Sequence, residues 1–164
     1  MSDAAEVLSK IATCASSQAD RNELARVTVE AIKECLPQAS WIGVYWLEGD
    51  ALVLGPFVGA PTEHVRIPVG TGVCGTAVAE DRDQIVDDVR ERSNYLACAA
   101  SVRSEIVVLV RSGGRIVGQL DLDSDHVAAF SRDDHAFLSM IAGALGGLLD
   151  FAEQERRRAA PGPV

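Results

Sequence analysis

Hydrophobic residues recur at helical spacing in three segments of this chain of 164 residues. The first segment is about Ala4–Cys14. The second opens at Asp20, which can cap a helix that Pro37 ends, while Glu23 stands where a capping box needs it. The third begins at Ser131 and carries an apolar stripe, namely Phe137, Leu138, Ile141, Leu145, Leu148 and Leu149. We therefore predict two N-terminal helices and one long C-terminal helix.

Between these helices the pattern changes to short apolar or alternating runs that are typical of strands. The predicted strands are Trp41–Leu47, Ala51–Leu54, Arg66–Val69, Gln84–Val89, Glu105–Val110 and Arg115–Asp123. A short helix is expected around Thr76–Glu80, and a polar loop from Arg90 to about Ser101. Helices around a central antiparallel meander make an α+β domain, which we place at residues 1–152. The charged and then Ala/Pro/Gly-rich segment 153–164 predicts a disordered tail.

The composition is that of a globular domain, with 48% hydrophobic and 24% charged residues. A formal net charge of -9 repels phosphate backbones, so we expect no nucleic-acid partner. The N-terminus lacks a signal-peptide pattern, and we find no apolar run of the roughly 20 residues that span a bilayer. We therefore expect a cytoplasmic protein without a membrane partner.

The cysteines divide by their surroundings. Cys14 and Cys35 lie on helical stripes, which favours small buried hydrophobes. Cys98 lies in a loop of small residues, and Cys74 follows a glycine-rich turn. No pair is spaced as CxxC, so we expect no disulfide framework, no metal and no cofactor. The alternatives are that Cys98 is a half-buried spectator thiol, and that Cys74 merely starts a helix.

Alternation places Asp121 and Asp123 on one face of the last strand. The simplest interpretation is a solvent-exposed sheet face; the other is a pair of carboxylates that grips a cation. A three-residue hairpin loop would set Glu105 directly opposite Asp121 and form a cluster of three acids. A two-residue Gly–Gly loop would set Glu105 opposite Leu122 and destroy that cluster. Arg103 and Ser104, close to Cys98 in the sequence, could favour its thiolate.

Several blocks of the sequence resemble free methionine-(R)-sulfoxide reductases, and the resemblance runs from about Ser40 to Asp134. Each block is weakly specific, but their order and spacing together are fairly specific. The blocks are Trp41–Tyr45, Leu52–Phe57, Arg66–Gly70, Gly72–Ala77, Ala97–Cys98, Arg103–Val107 and Gly118–Ser124.

The resemblance implies a GAF fold and reduction of the R-sulfoxide of free methionine by a thioredoxin-like reductant through a redox-active disulfide. It also suggests a homodimer, for which Gly143, Gly146 and Gly147 would permit close helix approach. By matched position, Cys98 would be the nucleophile and Cys74 the resolving cysteine, with Glu105 our candidate acid. The substrate pocket would be lined by Glu105, Asp121 and Asp123, with Trp41 and Tyr45 in an aromatic wall. The match also favours the hairpin register that clusters the acids.

Three positions depart from the family pattern. His64 stands where many members have a third cysteine, Ala99 where an aspartate is common, and Tyr95 where a histidine is common. Two thiols suffice for one disulfide, but the missing aspartate could alter the activity or the substrate. The alternative function is a non-catalytic GAF module that senses a small molecule or an oxidant.

Overall fold

The computed structural model describes residues 2–96 and 100–160. Its helices are α1 (Ser2–Ser16), α2 (Arg21–Cys35), α3 (Gly72–Ala79) and α4 (Arg132–Ala159). Its strands are β1 (Trp41–Glu48), β2 (Ala51–Val58), β3 (Arg66–Pro68), β4 (Gln84–Val86), β5 (Ser104–Ser112) and β6 (Arg115–Ser124). All strand pairs are antiparallel, in the order β3-β2-β1-β6-β5-β4. The predicted α+β class is confirmed.

Side-chain caps fix where two of the helices begin. The carboxylate of Asp20 accepts the backbone N–H of Glu23 at 2.9 Å, as predicted. The Glu23 carboxylate binds Arg26 instead of closing the predicted capping box. The complete box lies at α4, where the side chains of Ser131 and Asp134 each accept the other residue's backbone N–H.

Most predicted boundaries lie within two residues of the observed ones, but those of β2, α3 and β4 differ by more. Strand β2 continues to Val58 through a bulge opposite β1, so part of the segment expected to be irregular is paired. Helix α3 begins at Gly72, earlier than predicted. Strand β4 ends at Val86, and a single 3₁₀ turn follows at Val89–Glu91.

Helix α4 runs through most of the segment predicted to be a disordered tail. Glu153 binds Arg156 and Arg157, and Glu155 binds Arg158, all at helical spacing. Each such pair stabilises a helix by about 0.2–0.5 kcal/mol. Residues 153–159 are therefore helical, because their charges are arranged to support a helix rather than only to solvate a coil.

By length and composition α4 could cross a membrane, and among the described helices it alone could. Its apolar stripe instead packs into the domain, since Leu138, Ile141 and Leu145 are fully buried. This is the packing of a core helix.

Both faces of the sheet are covered. One face packs Ile42, Ile106 and Leu120 against α1, α2 and α4, and Cys14 and Cys35 lie half-buried at the margin of this core. The other face packs Tyr45 and Val107 under α3 and the surrounding loops. Side chains that alternate away from the first core are therefore buried as well, and the sheet has no solvated face along the middle of β6.

The β5–β6 hairpin does not have the predicted register. Its loop is the two residues Gly113–Gly114, whose φ angles of 56° and 79° suit a tight turn that other residues disfavour. A bulge at Val117 of β6, opposite Val110 and Arg111, adds one residue to that strand, so Glu105 lies opposite Asp123 instead of Asp121. The bulge restores the side-chain parity that a plain two-residue loop would reverse. The three acids consequently remain on one face.

Helix α4 crosses β5 so closely that one glycine is required. A Cβ at Gly146 would overlap the backbone carbonyl of Arg111, whereas a Cβ at Gly147 would meet nothing within 4 Å. Gly146 therefore serves packing within the chain, not the helix–helix contact expected from its sequence position.

We predict that Gly146→Ala lowers the free energy of unfolding by about 1–3 kcal/mol, because neither backbone can move aside cheaply. Gly147→Ala is the matched control and should raise it by about 0.5–1 kcal/mol, since alanine favours the helix. Urea denaturation measures both. Equal effects of the two substitutions would contradict the close crossing.

Candidate active site

The predicted pocket residues form cross-strand rows on the face opposite the first core. Trp41 of β1 pairs with Asp123 of β6, which in turn pairs with Glu105 of β5. In the next row Gly43 pairs with Asp121. Antiparallel partners on one face have Cβ atoms about 5 Å apart, so these side chains are neighbours although they come from three distant parts of the chain.

The three acids are buried, which excludes the solvent-face interpretation. Asp121 and Asp123 are 0% exposed, and Glu105 is 3% exposed. Helix α3 brings Cys74 onto them, and its Sγ donates a hydrogen bond to Oε1 of Glu105 at 3.8 Å. Sγ and one carboxylate oxygen each from Glu105 and Asp121 lie within 4.8 Å of one another, close enough to hold a metal ion or another small cation.

Burial and mutual repulsion favour protons on these carboxyl groups. The pKa of Glu105 is raised well above its ordinary value, first by burial and then by the charges of Asp121 and Asp123. Burial raises the pKa of Asp121 to about 6, although interactions with Cys74 and Glu105 lower it in part. Glu105 can therefore hold a proton near neutral pH and give it to a bound group.

An aromatic wall flanks the acids. The Trp41 ring lies over Gly43, where any Cβ would overlap it. The ring centroids of Trp41 and Tyr45 are 6.3 Å apart, and Phe57 stacks on Trp41 at 5.7 Å. The Tyr45 hydroxyl donates to the backbone carbonyl of His64 at 2.8 Å, which ties the wall to the loop after β2.

Two features of the site escape sequence reasoning. Phe57 belongs to one of the resembling blocks, but alternation alone gives it no role. Gln119 shares the acid face and is 0% exposed, and its side-chain amide has no hydrogen-bond partner within residues 2–96 and 100–160. The available signal was the i, i+2 spacing of Gln119 from Asp121, which marks a shared face but not burial.

Open space reaches the acids from two sides. A cleft of about 210 Å³ is lined by Trp41, Val102 and Asp123, among others. A gap of about 10 Å³, the space of a single water molecule, lies between Cys74, Glu105 and Leu96. The first opening suits a small organic molecule, and the second lies where the thiol meets the acids.

Cys98, together with Ala97 and Ala99, lies outside the described residues, so its role remains a prediction. The residues expected to favour its thiolate have partners of their own. The Arg103 guanidinium pairs with Asp88 at 2.9 Å and lowers the pKa of that carboxyl. The Ser104 hydroxyl donates to the backbone carbonyl of His126 at 2.6 Å.

Comparison with known proteins identifies the family. The GAF domain family model matches residues 18–150. Free methionine-R-sulfoxide reductase of Escherichia coli is 42% identical over 122 residues, which are 74% of this chain and 73% of that protein. The chain belongs to the GAF-domain free methionine-R-sulfoxide reductases.

Solved structures extend the likeness to the whole fold. The free methionine-R-sulfoxide reductase of Neisseria meningitidis, solved in complex with its substrate, superposes with a TM-score of 0.84 at 36% identity. The match covers 93% of this chain and 91% of that one. A protein of Burkholderia vietnamiensis described as a GAF sensor matches with a TM-score of 0.83 at 31% identity, over 95% of this chain and 97% of that one. A protein that is described as a sensor therefore shares this fold.

We predict that Asp121→Asn stabilises the substrate-free reductase at pH 7.5. A carboxyl group whose pKa is raised in the folded state contributes stability at low pH, and this contribution is lost as the pH rises from about 4 through about 6. Asparagine carries no charge, so the melting temperature of the variant should exceed that of the wild type at pH 7.5. The gap should close toward pH 4.

Thermal unfolding between pH 4 and 8 measures this gap, with the exposed Asp87→Asn as the matched control. A variant that melts below the wild type at pH 7.5, or a gap that is independent of pH, would show that the buried carboxylate is not under electrostatic strain.

Proposed function

We propose that this chain reduces free methionine-R-sulfoxide to methionine, with Cys98 as the nucleophile and Cys74 as the resolving thiol. The observation that carries the proposal is the contact of the Cys74 thiol with a buried carboxyl group inside a cluster of three acids. A purely structural thiol would be packed among apolar side chains instead of carboxyl groups. Membership of the reductase family supplies the reaction type.

In the first step the Cys98 thiolate attacks the sulfur of the sulfoxide, while the oxygen receives a proton from Glu105. The S–O bond of the substrate breaks and the oxygen is transferred to Cys98. Methionine leaves, reduced by two electrons, and Cys98 becomes a sulfenic acid. The raised pKa of Glu105 keeps its proton available for this step.

In the second step the Cys74 sulfur attacks the sulfenic sulfur of Cys98. An S–S bond forms, the S–O bond breaks, and water leaves with the proton of the thiol. An external dithiol of the thioredoxin kind then reduces the disulfide by thiol exchange and is itself oxidised. The buried position of Cys74 beside the acids holds it at the site of the chemistry.

Specificity for the free amino acid follows from the charges. Asp121 and Asp123 would bind the substrate ammonium, and the wall of Trp41, Tyr45 and Phe57 would enclose its side chain. An acylated nitrogen carries no charge and so would not neutralise the buried carboxylates, which a binding site penalises strongly.

The reductase is proposed to be cytoplasmic and to form a homodimer. A Cβ at Gly143 or Gly147 of α4 would meet no described atom within 4 Å, and both glycines lie beside Met140 at 53% exposure and Phe151 at 63%. A second copy could pack closely against this surface, as the resemblance suggests.

The alternative function is a GAF module that senses a small molecule or an oxidant without turnover. The similarity to the Burkholderia protein supports a sensory function. A sensor would use the same pocket but would not need the two thiols to form a disulfide. Consumption of methionine sulfoxide in the presence of dithiothreitol separates the two functions, since a sensor would consume none.

We predict that Cys98→Ser abolishes turnover, while Cys74→Ser releases about one methionine per subunit and then stalls as a sulfenic acid. Rapid-quench measurement of methionine with thioredoxin as the reductant gives both results. Cys14→Ser is the matched control, because this thiol packs at the margin of the far core, and it should retain full activity. Full steady-state activity in Cys98→Ser would show that Cys98 is not the nucleophile.

We also predict that the N-acetylated sulfoxide is reduced at least about tenfold more slowly than the free amino acid. Asp123→Asn should weaken binding of the free substrate by about 1.5–3 kcal/mol, the scale of a hydrogen bond to a charged group. It should have little effect on the N-acetyl form, which has no ammonium to lose. Steady-state kinetics on both substrates measure this. Equal rates on the two substrates with wild-type protein would contradict the ammonium site.

A further inference from the structure

The segment that carries Cys98 is closed at its base by two contacts. The backbone N–H of Val89 donates to the carbonyl of Arg103 at 2.8 Å, and the side chains of Arg103 and Asp88 form an ion pair at 2.9 Å. Val89 and Arg103, which flank this segment, therefore lie side by side.

The side chain of Asn94 contacts the turn that precedes Cys74. Its amide nitrogen donates to the carbonyl of Gly70 and to the hydroxyl of Thr76, both at 3.2 Å. Its amide oxygen accepts the backbone N–H of Gly72 at 3.4 Å. The Thr76 hydroxyl in turn donates to the carbonyl of Gly72 at 2.6 Å. One exposed side chain thus spans the turn that precedes Cys74 and the first turn of α3.

Gly72 lets the same segment approach closely. Its φ of 63° is a conformation that glycine adopts readily, and a Cβ there would lie 2.9 Å from the Cβ of Leu96. The contact places Leu96 against the residue two positions before Cys74. Asn94 and Leu96 together hold the segment on the α3 turn from two neighbouring points.

We propose that Asn94 is a positioning residue for the second chemical step, because it holds the segment ahead of Cys98 on the turn that carries Cys74. This inference rests on the proposed function of the two cysteines. Cys98 follows Leu96 by two residues, a span of at most about 7 Å. A disulfide requires Cα atoms about 4.4–6.8 Å apart. Because Cys74 follows Gly72 by two residues as well, the contact between Leu96 and Gly72 limits how far apart the two cysteines can lie.

The geometry separates this role from substrate binding. Asn94 contacts Gly70, Gly72 and Thr76, which lie on α3 and the turn before it and are distinct from the acids and the aromatic wall. Loss of its hydrogen bonds should leave the attack of Cys98 on the sulfoxide little changed. It should lower the effective concentration of Cys74 at the sulfenic sulfur, where small misplacements cost large factors in rate.

The test measures the two steps separately in Asn94→Ala and Asn94→Asp. In Asn94→Asp the carboxylate can still accept the Gly72 N–H but cannot donate to Gly70 or Thr76. If the two donated hydrogen bonds matter, this variant should form the disulfide as slowly as Asn94→Ala. Methionine release in a single turnover reports the first step. The decay of the sulfenic acid, trapped by dimedone at set times, reports disulfide formation. Ser93→Ala, exposed in the same segment, is the matched control.

We expect single-turnover methionine release within about twofold of the wild type, and disulfide formation slowed about tenfold or more in both Asn94 variants. Their melting temperatures should stay close to that of Ser93→Ala, because Asn94 is exposed and its loss leaves water free to bond its former partners. Unchanged disulfide formation in both variants overturns the proposal for Asn94 and leaves the proposed function intact. Wild-type protein that forms no Cys74–Cys98 disulfide on peptide mapping overturns both.

Discussion

Repulsion among three buried carboxyl groups is the interaction on which the site depends. Glu105, Asp121 and Asp123 share one covered face of the sheet, where water cannot screen their charges. Such a cluster persists only if protons or a cation neutralise part of it. In the substrate-free protein the raised pKa values of Glu105 and Asp121 provide protons. A bound ammonium group would neutralise part of the cluster's negative charge. Relief of the repulsion would then contribute to the affinity for the substrate.

The scaffold serves this cluster by covering both faces of one sheet. Helices α1, α2 and α4 bury the first face, and Gly146 lets α4 lie directly on β5. The second face is then closed by α3, which also brings the Cys74 thiol to Glu105. A single packing arrangement therefore removes water from the acids and places a thiol against them. The buried acids lower the stability of the fold, and the large core on the opposite face of the sheet offsets this loss.

The sequence predicts which residues share a face better than it predicts what covers that face. Alternation alone places Asp121 and Asp123 together, but their burial depends on α3, which comes from a distant part of the chain. Alternation alone does not predict the bulge at Val117, so the predicted partner of Glu105 was wrong by two residues while its face was right. The role of Asn94 depends on three hydrogen bonds to a remote turn, which no local pattern contains.

On substrate binding, an ammonium group would replace protons on the buried acids. Calorimetric titration of the Cys98→Ser variant with free methionine-R-sulfoxide at pH 6, in buffers of different ionisation enthalpy, measures the protons exchanged on binding. Near this pH the Asp121 carboxyl is about half protonated, so we predict net proton release into the buffer. The N-acetyl form should bind weakly and release none. Binding of the free substrate without proton release, or with net proton uptake, would show that the ammonium group does not displace protons from the acids.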